Sequence, residues 1–231
     1  MHYQNLYLIG SSHIAKQSIW EVTQAIERLN PGIVALELDK QRLHLLLSDK
    51  EEQGRRLSLK MIQKVGFKGF LFSLFGAWAE KKLGDTVGVK PGAEMKAAAQ
   101  IAQQRGIPIA LIDRNIETTL HRLSKSITWK EKWRIVVDVF KAVILRKNEY
   151  TFDLNTVPDQ KLIEKMIADV KVRYPSFYRV LITERNRVMA ARLQYVMEHN
   201  PQKEILAIVG AGHEEDIIEL LKKHAVSSQN M

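Results

Sequence analysis

An apolar run, a helix-periodic stretch and a second apolar run follow one another within the first 38 residues, and this order constrains the fold more than any other feature. Tyr3–Ile9 (YQNLYLI) reads as a strand and Gly10–His13 as the turn after it. Ile14–Asn30 repeats apolar residues at Ile14, Ile19, Val22, Ile26 and Leu29, near the helical period, and Asn30-Pro31-Gly32 stops it. Ile33–Leu38 (IVALEL) is short and nearly all apolar, as expected of a strand buried on both faces. Strand, helix, strand makes a βαβ unit with a right-handed crossover.

The pattern returns. Ala93–Arg105 is an Ala-rich helix, Gly106-Ile107-Pro108 leads into a third strand at Ile109–Ile112, Glu204–Val209 (EILAIV) is a fourth, and Glu214–His224 is a terminal helix. Residues 40–90 read as irregular helix broken by glycines and ended by Pro91-Gly92. Residues 115–200 read as several helices, the last opened by Pro175 and closed by Asn200-Pro201. The expected class is α/β, with a largely parallel central sheet, flanking helices and a basic helical insertion. One domain is expected over 1–231, with helical insertions at about 40–90 and 115–175.

Each strand is followed at once by a residue able to do chemistry. Strand one leads to His13, strand two to Glu37 and Asp39, strand three to Asp113 and Arg114, and strand four to His213. Parallel sheets bind ligands in the crevice at the carboxyl ends of their strands, so these groups are expected at one edge. Taken singly each has a plainer role: a His after a strand often caps the next helix, and Asp39 suits an N-cap. LYLIGSSHIAKQSIWEV and LAIVGAGHEEDIIELL repeat one order: apolar strand, Gly-x-x-His, helix. Gly210-Ala211-Gly212 resembles part of a dinucleotide fingerprint, but Glu215 stands where its last glycine belongs, and a nucleotide is not expected.

On a wheel of 100° per residue from Phe177, Leu181, Val188, Ala191 and Tyr195 fall within about 40°, while Asn186 and Arg187 fall opposite. Glu184 and Arg185 land inside the apolar arc, at about −20° and 80°. Charges facing a core must be paired or bound to something, so they form a structural ion pair or reach the histidine crevice. Glu94 lies in the first turn of its helix, where the dipole alone favours a carboxylate.

The 231 residues include no cysteine, which excludes a disulfide framework and thiolate chemistry and fits a reducing compartment. The N-terminus has no leader-like region and no window is long and apolar enough to span a bilayer, so a cytoplasmic protein, with membrane association as an option, is expected. The net charge of +9 is concentrated: residues 40–90 hold 11 Lys/Arg against 5 Asp/Glu, and 121–150 hold 8 against 3. This is a solvated helical face or a surface for anionic lipid. Gly66–Ala79, flanked by Lys60, Lys64, Lys81 and Lys82, packs on the core, lies in a membrane interface through 60–82, or forms a homo-oligomer contact. No nucleic-acid motif is present, and no nucleic-acid partner is expected.

Gly10-Ser11-Ser12-His13, Val34-Ala35-Leu36-Glu37-Leu38-Asp39, Pro91-Gly92-Ala93-Glu94-Met95, Ile112-Asp113-Arg114, Glu184-Arg185-Asn186-Arg187 and Val209-Gly210-Ala211-Gly212-His213 appear in that order. Over nearly its whole length the chain resembles the TraB family, which includes pheromone-shutdown proteins, and more distantly the Tiki proteases and the erythromycin-esterase and ChaN-like proteins. The resemblance implies an α/β core with a helical insertion and a metal-dependent peptidase activity. It implies that His13 and His213 are metal ligands with Glu37 and Glu94 or Glu184 nearby, and that Arg114 and Arg185 bind an anionic group or stabilise charge. Many such proteins carry C-terminal membrane spans; none follows here, so attachment by that route is not expected.

Three functions are then weighed. In a metallohydrolase the imidazoles and a carboxylate hold Mn, Co or Zn, Glu37 or Glu184 is the general base, and Arg114 stabilises an oxyanion. In a metal-free hydrolase His13 or His213 is the base. In a binding protein Arg114 and Arg185 capture a peptide or small molecule by its carboxylate, which would sequester a signal.

Overall fold

A computed structural model describes residues 1–11, 16–48, 92–144 and 168–229. The expectations for His13, for residues 60–82 and for most of 40–90 and 145–167 lie outside them.

The protein is α/β, built on a five-stranded sheet in the order β1-β2-β5-β3-β4. The strands are β1 (His2–Tyr3), β2 (Leu6–Ser11), β3 (Ile33–Leu36), β4 (Ile109–Leu111) and β5 (Ile205–Gly210). β2, β5, β3 and β4 are parallel, with Leu6 opposite Ile205, Ile33 opposite Ile205 and Val34 opposite Ile109. The expected first strand, Tyr3–Ile9, is in fact two. Gln4 takes a positive φ of 52° and turns the chain back, so β1 pairs antiparallel with β2 and His2 stacks on Tyr7 at 4.4 Å.

Every residue of β3 and β5 is buried, because helices cover both faces. Side chains alternate between the faces. Leu6, Leu8, Ile33, Ala35, Ile205, Ala207 and Val209 pack with α7 (Glu184–His199) and α8 (Glu214–Gln229), through Met189, Leu193, Ile217 and Leu221. Val34, Leu36, Leu206 and Ile208 pack on the other face with α1 (Lys16–Leu29) and α3 (Ala93–Gln104), through Val22, Ile26, Met95 and Ala98. α2 (Lys40–Leu47), α4 (Ile116–Ser126) and α5 (Trp129–Ile144) follow the strand ends or one another.

Helix capping places the chain at the carboxyl edge. Asp39 caps α2, accepting from the backbone N–H of Gln41 (2.8 Å) and Arg42 (3.1 Å). Asn115 caps α4 through Glu117 and Thr118. Asp39 also accepts from Ile116 N at 3.2 Å, tying the segments after β3 and β4 together.

The helix expected over 176–199 is interrupted. After α6 (Pro175–Tyr178) comes a π-helical turn, Arg179–Thr183, whose wide bond runs from Glu184 N to Arg179 O. A π turn breaks the 100° period, so positions beyond it cannot be projected from Phe177. Asn186, placed on the outer arc by the wheel, is buried, whereas Ala191 and Tyr195, placed on the apolar arc, are exposed. Among the described residues no helix is long and apolar enough to cross a membrane.

Candidate functional site at the carboxyl edge

The two Gly-x-x-His segments leave adjacent parallel strands, with Gly10 opposite Val209 and Ser11 opposite Gly210. Ala211 N donates to Ser11 O at 2.9 Å, so the turn leaving β5 touches the last residue of β2. A Cβ on Gly10 would stand 3.0 Å from Ala211 Cα and 2.5 Å from Glu214 Oε2, which explains the glycine.

His213 opens the turn into α8 and is buried. Asn186 gives its amide N–H to Asp216 at 2.8 Å, which leaves Asn186 Oδ1 to accept from His213 Nδ1. This network assigns the proton to Nδ1 and the lone pair to Nε2. Nε2 stands 3.4 Å from Glu37 Oε1 and 3.4 Å from Arg185 Nη1.

Glu37 and Asp113 hold opposite sides of Arg185. Glu37 accepts from Gly210 N at 2.6 Å through Oε2 and pairs with Arg185 Nη2 through Oε1. Asp113, only 1% exposed, takes Arg185 Nη2 at 2.6 Å and Arg42 Nη2 at 2.5 Å. Burial pushes the Asp113 carboxyl up, but Arg185 and Arg42 outweigh it and hold the group below the ordinary carboxylate range. Burial likewise opposes the charge of Arg185, and Glu37 and Asp113 outweigh it, so the guanidinium stays charged. Asp39 is also held low, Arg42 overcoming the cost of burial.

Further out, Glu184 pairs with Arg122 at 2.6 Å and Arg114 at 3.2 Å; Arg122 is the main reason its carboxyl stays low, against burial. The π turn serves this cluster. Its Val180 and Leu181 carbonyls accept from Arg114 (3.3 Å) and Arg185 (3.2 Å).

Glu37, Arg185 and His213 are therefore in mutual contact, with Glu184 and Arg114 in a second pair beside them. Glu94 is buried in the first turn of α3. Glu184 forms the ion pair with Arg114, and Arg185 lies 3.4 Å from His213; a crevice shared with His13 lies outside the described residues. Asp113 stands at the carboxyl edge, as its place after the third strand predicts, though nothing in the sequence marks it as the anion shared by two arginines. Asn186 and Asp216 were not predicted. Asn186 was hidden by the π turn. Asp216 carried no signal beyond an acid in the first turn of a helix.

An ion about 2.0–2.1 Å from one nitrogen and one oxygen at the tetrahedral angle sets those atoms about 3.4 Å apart. His213 Nε2 and Glu37 Oε1 match that bite, and the His213–Asn186–Asp216 relay is the support that metal-binding imidazoles usually have. Among the described residues, no three His, Cys, Asp or Glu side chains form a metal-binding group. An open groove of about 400 Å³ is lined by Lys40, Leu43, His44, Leu47, Ser48 and Leu111, and His213 is not part of its lining.

Relatives share this sequence along almost its whole length. An uncharacterized protein of Methanocaldococcus jannaschii, MJ1365, is 39% identical over 221 residues, covering 95% of this chain and 54% of its own length. TraB domain-containing proteins of Homo sapiens and Bos taurus are 24% and 23% identical, covering 90% of this chain and 60% of theirs. The chain thus spans little more than half the length of these relatives. The family described as TraB/PrgY/gumN matches residues 2–228, and the chain belongs to that family.

Proposed function

We propose that the chain is a metal-dependent hydrolase of peptide-like substrates, with its centre at His213, Glu37 and Arg185. The observation that carries this reading is the Nε2 lone pair of His213, aimed by Asn186 and Asp216 to 3.4 Å from Glu37 Oε1. His213 and Glu37 would hold Mn, Co or Zn, with His13, two residues beyond Ser11, as the third ligand. Bound there, the ion supplies a Lewis acid and an acidified water. Glu184, or Glu37 where it is not a ligand, would serve as general base, and Arg185 and Arg114 would orient the substrate carbonyl or carboxylate. Glu94, at the start of α3, is the remaining candidate ligand.

Calorimetry of metal-free protein with Mn²⁺ and Zn²⁺ tests the centre. Binding weakened at least about tenfold in His213→Ala and Glu37→Gln supports it. Equal binding in wild type and both variants sinks it.

Arg185 favours a second reading, because it already stands on Glu37 Oε1 and beside Nε2. In that reading His213 is the base of a metal-free hydrolase, or the site captures a ligand without cleaving it. Chelator-resistant cleavage lost in His213→Ala selects the first form. A peptide bound and recovered intact with each metal selects the second.

A further inference from the structure

α5 is amphipathic in an unexpected sense: Glu131 is buried, Asp138 is paired with Arg173, and Trp129 and Trp133 face outward. Glu131 is 2% exposed and accepts from Thr128 N (2.8 Å), Thr128 Oγ1 (2.7 Å) and Ser176 N (2.7 Å). Asp138 takes Arg173 Nε at 2.7 Å, a second bond from Arg173 and one from the Tyr174 hydroxyl. These bonds seat the polar side of the helix on residues 173–176. Trp129 and Trp133, one turn apart, are left 79% and 67% exposed. Lys130, Lys132 and Arg134 flank them, and Lys132 Nζ lies 5.9 Å from the Trp129 ring. Val172, 81% exposed, stands in the adjoining helical residues 168–173.

We infer that this face docks on an anionic lipid surface. Tryptophan favours the boundary between headgroups and acyl chains, where its ring is buried and its N–H stays wet. Lysines beside it reach the headgroup phosphates. Glu131 is buried and Asp138 is neutralised by Arg173, so the charge left beside the two rings is positive, as an anionic surface requires. A protein partner or a second copy of the chain would bury the same rings but has no need of that charge.

The full chain is co-sedimented with phosphatidylcholine vesicles with and without phosphatidylserine. Binding is expected only with phosphatidylserine, and it should fall with salt. Trp129→Ala/Trp133→Ala should weaken it at least about tenfold, and Lys130→Ala or Lys132→Ala about fivefold each. Trp20→Ala, on α1, should leave it unchanged. A second readout keeps both rings: with Trp20 and Trp78 replaced by phenylalanine, the remaining emission should shift blue on vesicles and be quenched by brominated lipid. Vesicle binding unchanged in the double variant overturns the inference. So does absence of binding and quenching together. A double variant that turns a dimer into a monomer without altering vesicle binding makes the face a subunit contact instead.

Discussion

The two ends of the parallel sheet are built from opposite materials. At the amino edge the one ion pair among the described residues, Arg105 with Glu27 at 3.7 Å, is solvent-exposed, and the links between strand ends are backbone groups and one neutral side chain. Gly32 N donates to Glu204 O, Ile205 N donates to Asn5 O, and Asn5 Nδ2 reaches the carbonyls of Asn200 and Lys203 at 3.0 Å. At the carboxyl edge Glu37, Asp39, Asp113 and His213 are all buried, with Arg42 and Arg185 among them. Strand pairing alone needs no charge at either edge. Buried ions are costly, and exchanging them for apolar groups is often neutral or stabilising, so their concentration at the carboxyl edge, where parallel sheets in general bind ligands, speaks for a purpose other than stability.

The contrast can be broken by substitution. Asp113→Ala strands Arg42 and Arg185 without their shared anion and should cost about 3–5 kcal/mol in a chemical denaturation curve. A loss below about 1 kcal/mol would mean that water already screens the edge.

Leu206→Ala, in the neutral middle of β5, should cost about 2–5 kcal/mol. It should leave metal affinity unchanged, whereas Asn186→Ala should lower that affinity at least about tenfold through loss of the His213 orientation. If the two variants change affinity alike, the edge is not organised around His213.

Acid separates the edges further. Asp113, Asp39 and Glu184 have carboxyls held below their unfolded values, so between the two the unfolded chain binds more protons. Their contribution is complete at neutral pH and is lost as pH falls from the ordinary carboxylate range, about 4, through the lower folded values. Denaturation midpoints should therefore drop below about pH 4, and Asp113→Asn should flatten the drop; a wild-type curve that stays level would exclude the linkage.

The smallest effect belongs to the amino edge. Asn5→Ala removes two hydrogen bonds to carbonyls and should cost about 1–2 kcal/mol, equally at pH 7 and pH 4. A pH-dependent loss would reveal charge coupling that the geometry does not show.

Much of this contrast was legible in the residues. The parallel strands are apolar runs bounded by turn residues; two of the four lie within one residue of their expected places, and β3 ends two residues earlier than expected. The polar residues after them sit at one edge because parallel strands share a direction. What escaped had local causes. The β1 hairpin depends on Gln4 adopting a backbone conformation that its residue type does not advertise. Asn186 depends on a π turn, which propensity does not signal. The shared role of Asp113 depends on two arginines, one 71 and the other 72 positions away, meeting at one carboxylate, and no local pattern encodes that.

The strand order carries a consequence for biogenesis. β5 lies between β2 and β3, so the opening βαβ segment cannot zip its own strands together. Both await a shared neighbour, β5, which begins 199 residues after β2 begins and 172 after β3 begins. Assembly is thus governed by contacts remote in sequence, which fold slowly and expose unpaired edges meanwhile. A chain cut just before Ile205 would keep most of its helices and lose the seam that joins both halves of the sheet, leaving two sticky fragments rather than a smaller version of the same molecule.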